Sequence, residues 1–141
     1  MTKRRLTMAV IAAFAVAGGA WGMQSAIAQT KAPAAAGFKR TELQRHDLST
    51  PNHEAVTARA DFEPGAAAPK HTHPGEEVGY LLSGQLVVEI EGKPPQTLKA
   101  GDTFFIPAGT VHSARNPDKG PAAVLSTYLV EKGKPLATPV K

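Results

Sequence analysis

The sequence predicts an all-β domain, a sandwich or a barrel, and three observations support this prediction. Between residues 38 and 131 the apolar residues form short runs that glycine and proline interrupt about every ten residues, which is typical of strands joined by turns. After Gln29, no window of about ten residues has the apolar stripe of an amphipathic helix. Residues 83–85 and 91–94 have the composition of hairpin turns.

The predicted strands follow one another along the chain with turn residues between them. Their limits are 43–48, 54–62, 77–82, 86–90, 96–98, 103–106, 112–116 and 123–130. The turn at 83–85 joins the third predicted strand to the fourth, and the turn at 91–94 joins the fourth to the fifth. Because side chains two apart on a strand share a face, this pattern also indicates which polar residues can meet.

The opening residues 1–28 have the parts of a secretory signal peptide. A basic start is followed by an apolar stretch to about Trp21 and by the small residues Ala26 and Ala28, so cleavage is expected before Gln29. The apolar stretch is shorter than the ~20 residues of a spanning helix, and glycines interrupt it. We therefore expect export to the periplasm or the outside of the cell, with no stable membrane anchor after cleavage.

Removal of this leader changes the charge of the chain. Three of the 16 basic residues lie in it and all 12 acidic residues lie downstream, so the mature balance is 13 − 12 = +1. A nearly neutral chain without a basic patch argues against nucleic-acid binding. The chain has no cysteine, so its core or a metal must stabilise it without disulfides. The Arg4-Arg5 pair leaves twin-arginine export open beside the general secretory route.

The two ends of the mature chain differ in composition from the β domain. Residues 29–40 begin with QTKAPAAAG, which is small, polar and without periodicity, and they are expected to form a flexible lead-in. The β domain is expected over residues 41–133. Residues 134–141 contain Pro135 and Pro139 and are expected to trail along the surface.

Two histidines separated by one residue form the first candidate site. On a strand, His71 and His73 point the same way and can reach one ion. Such a pair alone is a weak indication, because it more often lies at a surface. The Pro74-Gly75 turn then leads into the strand of Glu77, so a carboxylate can return to the same end of the domain.

A second segment, GDTFFIPAGTVHSARN, repeats this plan. Gly101 precedes a short apolar strand, residues 107–109 form a turn, and His112 follows. Two neutral nitrogens from one hairpin, an oxygen from its return strand and a nitrogen from the other hairpin make a plausible four-ligand metal site. Its candidate ligands are His71, His73, Glu77 and His112.

The two segments together resemble the cupins. The first cupin motif, G-x5-H-x-H-x3or4-E-x6-G, is matched by Gly65, His71, His73, Glu77 and Gly84. The second, G-x5-P-x-G-x2-H-x3-N, is matched by Gly101, Pro107, Gly109, His112 and Asn116. Every defined position is filled over residues 65–116, and the flanking strand pattern extends the resemblance to 41–131.

The resemblance implies a single double-stranded β-helix, or jelly-roll β-barrel, with one divalent metal ion inside. The ion would be held by His71, His73, Glu77 and His112, a donor set that suits Fe, Mn, Ni, Cu or Zn. Glu76 is the rival carboxylate, but strand alternation turns it to the opposite face from Glu77. Cupins commonly pair through their sheets, so the resemblance also implies a homodimer, with residues 41–50 as the candidate edge strand.

Other residues near the two motifs have less specific roles. Gly79 lies on the ligand face, where we hypothesise that it leaves room for a ligand; a strand glycine at a bend is the alternative. Of Phe104 and Phe105, one is expected to line the pocket and the other to pack between the sheets. Tyr80 is expected to pack with its hydroxyl at the surface. The remaining candidates are expected to be solvated, capping or ion-paired: His46, His53, Arg59 and Arg115.

Three functions are compatible with these residues. Four protein ligands leave two positions open on an octahedral ion, so the first hypothesis is an exported mononuclear, dioxygenase-like oxidoreductase that acts on a small aromatic or enol-type molecule. Glu77 would then also accept a proton. The second is a non-catalytic cupin that binds a small ligand or the ion, and the third is a module that the metal only stabilises.

Overall fold

Two antiparallel sheets of five strands each form the part of the chain that the computed structural model describes, residues 36–141. The first sheet has the order β1-β2-β9-β4-β7 and the second β10-β3-β8-β5-β6. The strands are β1 (Phe38–Asp47), β2 (His53–Phe62), β3 (Ala67–Thr72), β4 (Gly75–Ser83), β5 (Gln85–Ile90), β6 (Gln96–Lys99), β7 (Thr103–Ile106), β8 (His112–Arg115), β9 (Ala122–Glu131) and β10 (Thr138–Pro139). This all-β jelly roll confirms the predicted fold class.

Strand alternation explains how the core forms between the sheets. In β2, the residues from Val56 to Phe62 at every second position are buried, and in β4 the same holds from Gly75 to Leu81. The largest fully buried side chains include Leu81, Leu86 and Ile106, which come from both sheets. One face of each sheet therefore supplies the core and also carries the inward polar residues.

All eight predicted strands have a counterpart, and two further strands were missed. β1 begins at Phe38, so residues 38–40 of the predicted lead-in belong to the first sheet. β3 was not predicted as a strand of its own, and β10 lies in the tail. The tail does more than trail along the surface: Leu136 packs against a buried cluster, and Thr138 pairs with Thr72 at the edge of the second sheet.

The predicted signal peptide, residues 1–28, lies outside the residues that the structure describes. Within residues 36–141, no helix has the length and apolar character that a membrane crossing requires. The motif glycine Gly84 turns the chain between β4 and β5 with a φ of 76°, which favours glycine over residues with a Cβ. A Cβ there would also lie 2.6 Å from the backbone oxygen of Pro121.

The space above Gly79 is filled by a protein side chain, so the hypothesis that this glycine leaves room for a ligand is wrong. A Cβ at Gly79 would lie 2.1 Å from Cζ of Phe104, its partner across the β4–β7 pair. Phe104 is the inward member of the phenylalanine pair. Phe105 is 51% exposed and does not pack between the sheets as expected, and Tyr80 is 46% exposed.

We expect the Gly79→Ala substitution to destabilise the fold by about 1–3 kcal/mol, because the added methyl group must displace the ring of Phe104. The change in the free energy of unfolding is measured by urea denaturation, monitored by far-UV circular dichroism. The Gly120→Ala substitution is the matched control, since a Cβ at Gly120 meets nothing within 4 Å. In the Gly79→Ala/Phe104→Ala double variant, the loss of stability should differ from the sum of the losses in the two single variants. Wild-type stability of the Gly79→Ala protein would contradict this packing.

Candidate metal centre

Three histidines converge inside the barrel from two neighbouring strands. His71 lies in β3 and pairs in register with His112 at the start of β8, and His73 follows directly after β3. Their ring centroids are 4.3 to 4.9 Å apart, and all three residues are buried. One potential ligand atom from each lies within 4.8 Å of the others. These histidines could therefore bind one metal ion.

The hydrogen bonds of the three rings determine which nitrogen faces the centre. Each Nδ1 lies against a backbone carbonyl oxygen, which only accepts hydrogen bonds, so each Nδ1 carries the proton. In a neutral ring, Nε2 then keeps its lone pair for a metal. The Nδ1 to oxygen distances are 2.6 Å from His71 to Pro69, 2.5 Å from His73 to Leu136, and 2.9 Å from His112 to Thr110.

Glu77 faces the same centre from the opposite sheet. Its Oε2 lies 3.0 Å from Nε2 of His73 and 3.3 Å from Nε2 of His112. Neither Nε2 atom has a hydrogen-bond partner within residues 36–141, although both are buried. A carboxylate oxygen facing two lone pairs is unfavourable unless a cation lies between them. The donor set thus fits a metal ion, and β4 alternation places Glu76 on the other face.

The protonation states of the site also suit metal binding. Burial is the main cause that lowers the pKa of His71 to about 4, and the neighbouring His112 and His73 lower it further. Burial raises the pKa of Glu77, and a cation bound beside its carboxylate would lower that pKa and keep the group ionised. Neutral imidazole and ionised carboxylate are the forms in which these side chains bind metals.

A small cavity lies beside the histidines between the two sheets. Its volume is about 40 Å³, which leaves room for ~3 water molecules. Apolar side chains such as Phe62, Leu86 and Phe104 form much of its wall. Its polar lining consists of His71, Glu77, His112, Arg40, Ser126 and Tyr128.

The other candidates from the sequence do not line this cavity. Arg59 forms the expected exposed ion pair, with Nε 2.8 Å from Oδ1 of Asp61. His46 and Arg115 are exposed, and Nδ1 of His53 lies 2.8 Å from the carbonyl oxygen of Pro51. None of these residues contributes to the candidate metal centre.

Sequence reasoning missed several contributors to the site, among them Ser126 and Tyr128 of β9. Arg40 lay in the predicted lead-in, but it belongs to β1 and lines the cavity. The carbonyl of Leu136 comes from the tail and is a backbone group, so no residue type could indicate it. Arg40 has no motif around it, and only the pairing of β1 with β2 brings it inside.

The fold and the site define a jelly-roll barrel with an internal histidine cluster that could bind a metal. A family model described as Cupin domain matches residues 58–128, half of the chain. The chain therefore belongs to the cupin family, which confirms the resemblance of its two motifs.

Several proteins are similar to this chain in sequence. Germin-like protein subfamily 2 member 2 of Arabidopsis thaliana is 42% identical over 76 residues, which cover 50% of this chain and 35% of that protein. Oxalate oxidase 2 of Hordeum vulgare is 32% identical over 107 residues, covering 58% of this chain and 48% of that protein. The chain thus spans about a third to a half of the length of these relatives.

Solved structures with the same fold include two enzymes. The structure of an oxalate oxidase in complex with the substrate analogue glycolate has a TM-score of 0.61 at 30% identity, covering 74% of this chain and 55% of that chain. The DMSP lyase DddQ from Ruegeria pomeroyi DSS-3 has a TM-score of 0.62 at 25% identity, covering 73% and 51%. A redox enzyme and a lyase are therefore both similar to this barrel.

A chain shortened to end at Lys134 should bind metal ~10–100-fold more weakly, because Nδ1 of His73 loses the carbonyl that holds its tautomer and ring direction. A competition titration against a chelating indicator measures the affinity. The Leu136→Ala substitution is the control: it removes the side chain that packs against the cluster of Val56, Ala58, Tyr128 and Val130 but keeps the carbonyl. Equal affinity of the shortened chain and the control would refute this role of the tail.

Proposed function

We propose that this cupin is an exported, metal-dependent, dioxygenase-like enzyme that acts on a small enol-type or aromatic molecule. The observation that carries the proposal is the pair of buried Nε2 lone pairs, of His73 and His112, that face the Glu77 carboxylate. Such a site is costly to fold without a cation. The cavity volume of about 40 Å³ favours the smaller enol-type molecules over large aromatic ones.

A divalent ion held by His71, His73, His112 and Glu77 would supply Lewis-acid and redox chemistry at the cavity wall. The chain's own residues have separate tasks. Glu77, ionised when it binds the ion, would accept a proton from a substrate. Burial, followed by the charge of Glu77, raises the pKa of Tyr128, so its phenol stays protonated and can act as a hydrogen-bond donor. The apolar walls limit the entry of water.

The comparisons support small-molecule chemistry without choosing one reaction. Oxalate oxidases, at 30–32% identity, act by their name on a two-carbon dicarboxylate with an oxidant. The DMSP lyase of similar fold is named for an elimination instead. Because the chain spans only part of these proteins, the oxidative function is our proposal for this chain. The alternative is a non-catalytic binding module, which the small cavity and the few acid–base groups would also suit.

The leader at residues 1–28 supports the proposed export. An exported metalloprotein must receive its ion either before or after crossing the membrane, and the two routes differ in which metals are available. Metal content should therefore be measured on protein purified from the compartment to which it is exported.

Elemental analysis of that protein should give about one Fe, Mn, Ni, Cu or Zn per chain. The His112→Ala and Glu77→Gln substitutions should each reduce the content to about a tenth or less, because each removes a donor atom from the buried set. The His46→Ala substitution is the matched control, since His46 is exposed and outside the cavity. Wild-type protein without metal after purification would contradict the proposed site.

Dioxygen uptake by the metal-loaded protein tests the proposed reaction. The panel contains β-diketones, catechols, flavonols and oxalate, and at least one compound should stimulate uptake that Glu77→Gln abolishes. A metal-loaded protein that binds panel compounds without consuming dioxygen or converting them would favour the non-catalytic module. Conversion without dioxygen would point to a lyase.

We further propose that two chains pair through β1. This strand lies at the edge of the first sheet, and its Leu43 is 56% exposed. An unpaired edge strand readily accepts another strand. Light scattering after size exclusion should give a dimer for the wild type and a shift towards monomer for Leu43→Lys, with Val78→Lys on the inner strand β4 as the control. A monomeric wild type would contradict this pairing.

A further inference from the structure

Arg40 lines the metal cavity from β1. In the β1–β2 pair it lies opposite Ala60, which is buried, and it is on the same face as Phe38. Its guanidinium shares the cavity with His71, Glu77 and His112. Among the residues that line the cavity, Arg40 is the one that is permanently cationic.

The guanidinium of Arg40 has one buried donor without an acceptor in the described part of the protein. Its Nε is buried and has no hydrogen-bond partner within residues 36–141, and no carboxylate there lies within 4.0 Å of its guanidinium. Arg45, on the same strand, differs because it pairs with Glu42 and Glu54. A buried guanidinium donor without an acceptor is costly, so its retention indicates an acceptor supplied by a ligand.

Two aromatic rings hold the guanidinium in place. Its central carbon lies 5.6 Å from the ring centroid of Tyr128 and 5.9 Å from that of Phe38. The Tyr128 ring in turn packs 4.7 Å from the ring of His73. These cation–π contacts hold the guanidinium over the two rings, and the Tyr128 ring lies between it and His73.

The charges of the site favour an anion in the same cavity. With a divalent ion bound, Glu77 contributes −1 and Arg40 contributes +1, while the three histidines are neutral, so the sum is +2 −1 +1 = +2. In a site with apolar walls, an uncompensated double positive charge is unfavourable. A carboxylate or enolate ligand would offset it, and a dianion would neutralise it.

We propose that Arg40 is a specificity-determining residue that binds a carboxylate or enolate oxygen of a small anionic substrate. The inference rests on the proposed function and names its substrate class. The planar guanidinium matches a carboxylate with two parallel N–H···O bonds. The small volume of the cavity, about 40 Å³, suits a small anion.

Isothermal titration of the metal-loaded protein with glycolate, and with its uncharged analogue glycolamide, tests this role. The wild type should prefer glycolate. The Arg40→Gln substitution should weaken glycolate binding ~10–100-fold, while glycolamide binding changes less than about threefold, because only the charged partner needs the guanidinium. Arg40→Lys should lie between the two, since it keeps the charge without the fork. Arg59→Gln, at an exposed ion pair on β2, should bind as the wild type does.

Metal content and thermal unfolding are measured on every variant, so binding is compared at equal metal loading. If Arg40→Gln loses metal or stability, Arg40→Lys decides the question: a reduced glycolate preference supports the proposal and a full wild-type preference overturns it. A wild type without preference for glycolate also overturns it. Failure of dioxygen uptake with a retained Arg40-dependent preference would reject the oxidative function and leave Arg40 as an anion-binding residue.

Discussion

The structure of the site depends on the direction of three histidine lone pairs. Backbone carbonyls accept hydrogen bonds from Nδ1 of His71, His73 and His112, and Nε2 of His73 and of His112 faces the Glu77 carboxylate. Four acceptors meeting in a buried space are stable together only with a cation among them. The rigid sheets around the site therefore hold an arrangement that metal binding would stabilise.

Chain segments far apart in sequence meet at this site, where they orient the histidine rings. The acceptor for His73 is Leu136, 63 residues further along the chain, and β10 joins the edge of the strand that carries His71. Gly109 links the two motifs through its N–H, which donates to the carbonyl of His73 at 3.0 Å. The tail and the second motif thus both restrain the loop of His73, and ring orientation depends on them.

Much of the fold and the cluster of three histidines could be predicted from the sequence, because turns and strand alternation are local properties. The spacing from His71 to Glu77 and the turn before His112 are readable within short segments. The predictions failed where contacts between strands far apart in sequence determine the position of a side chain. From the sequence pattern, the space beside Gly79 was expected to be open, but Phe104 on the facing strand occupies it. Arg40 follows a stretch without periodicity, so its inward position depends on the register with β2.

The sequence by itself determined the all-β class, the cupin motifs and the residue types that could bind a metal, because these follow from local spacing and donor chemistry. Only the tertiary structure decided the size of the cavity, the burial of Arg40 Nε without an acceptor in residues 36–141, and the carbonyl that orients His73. Each of these is a relation between strands separated by many residues. Strand register and sheet packing, rather than any local pattern, bring such groups into contact.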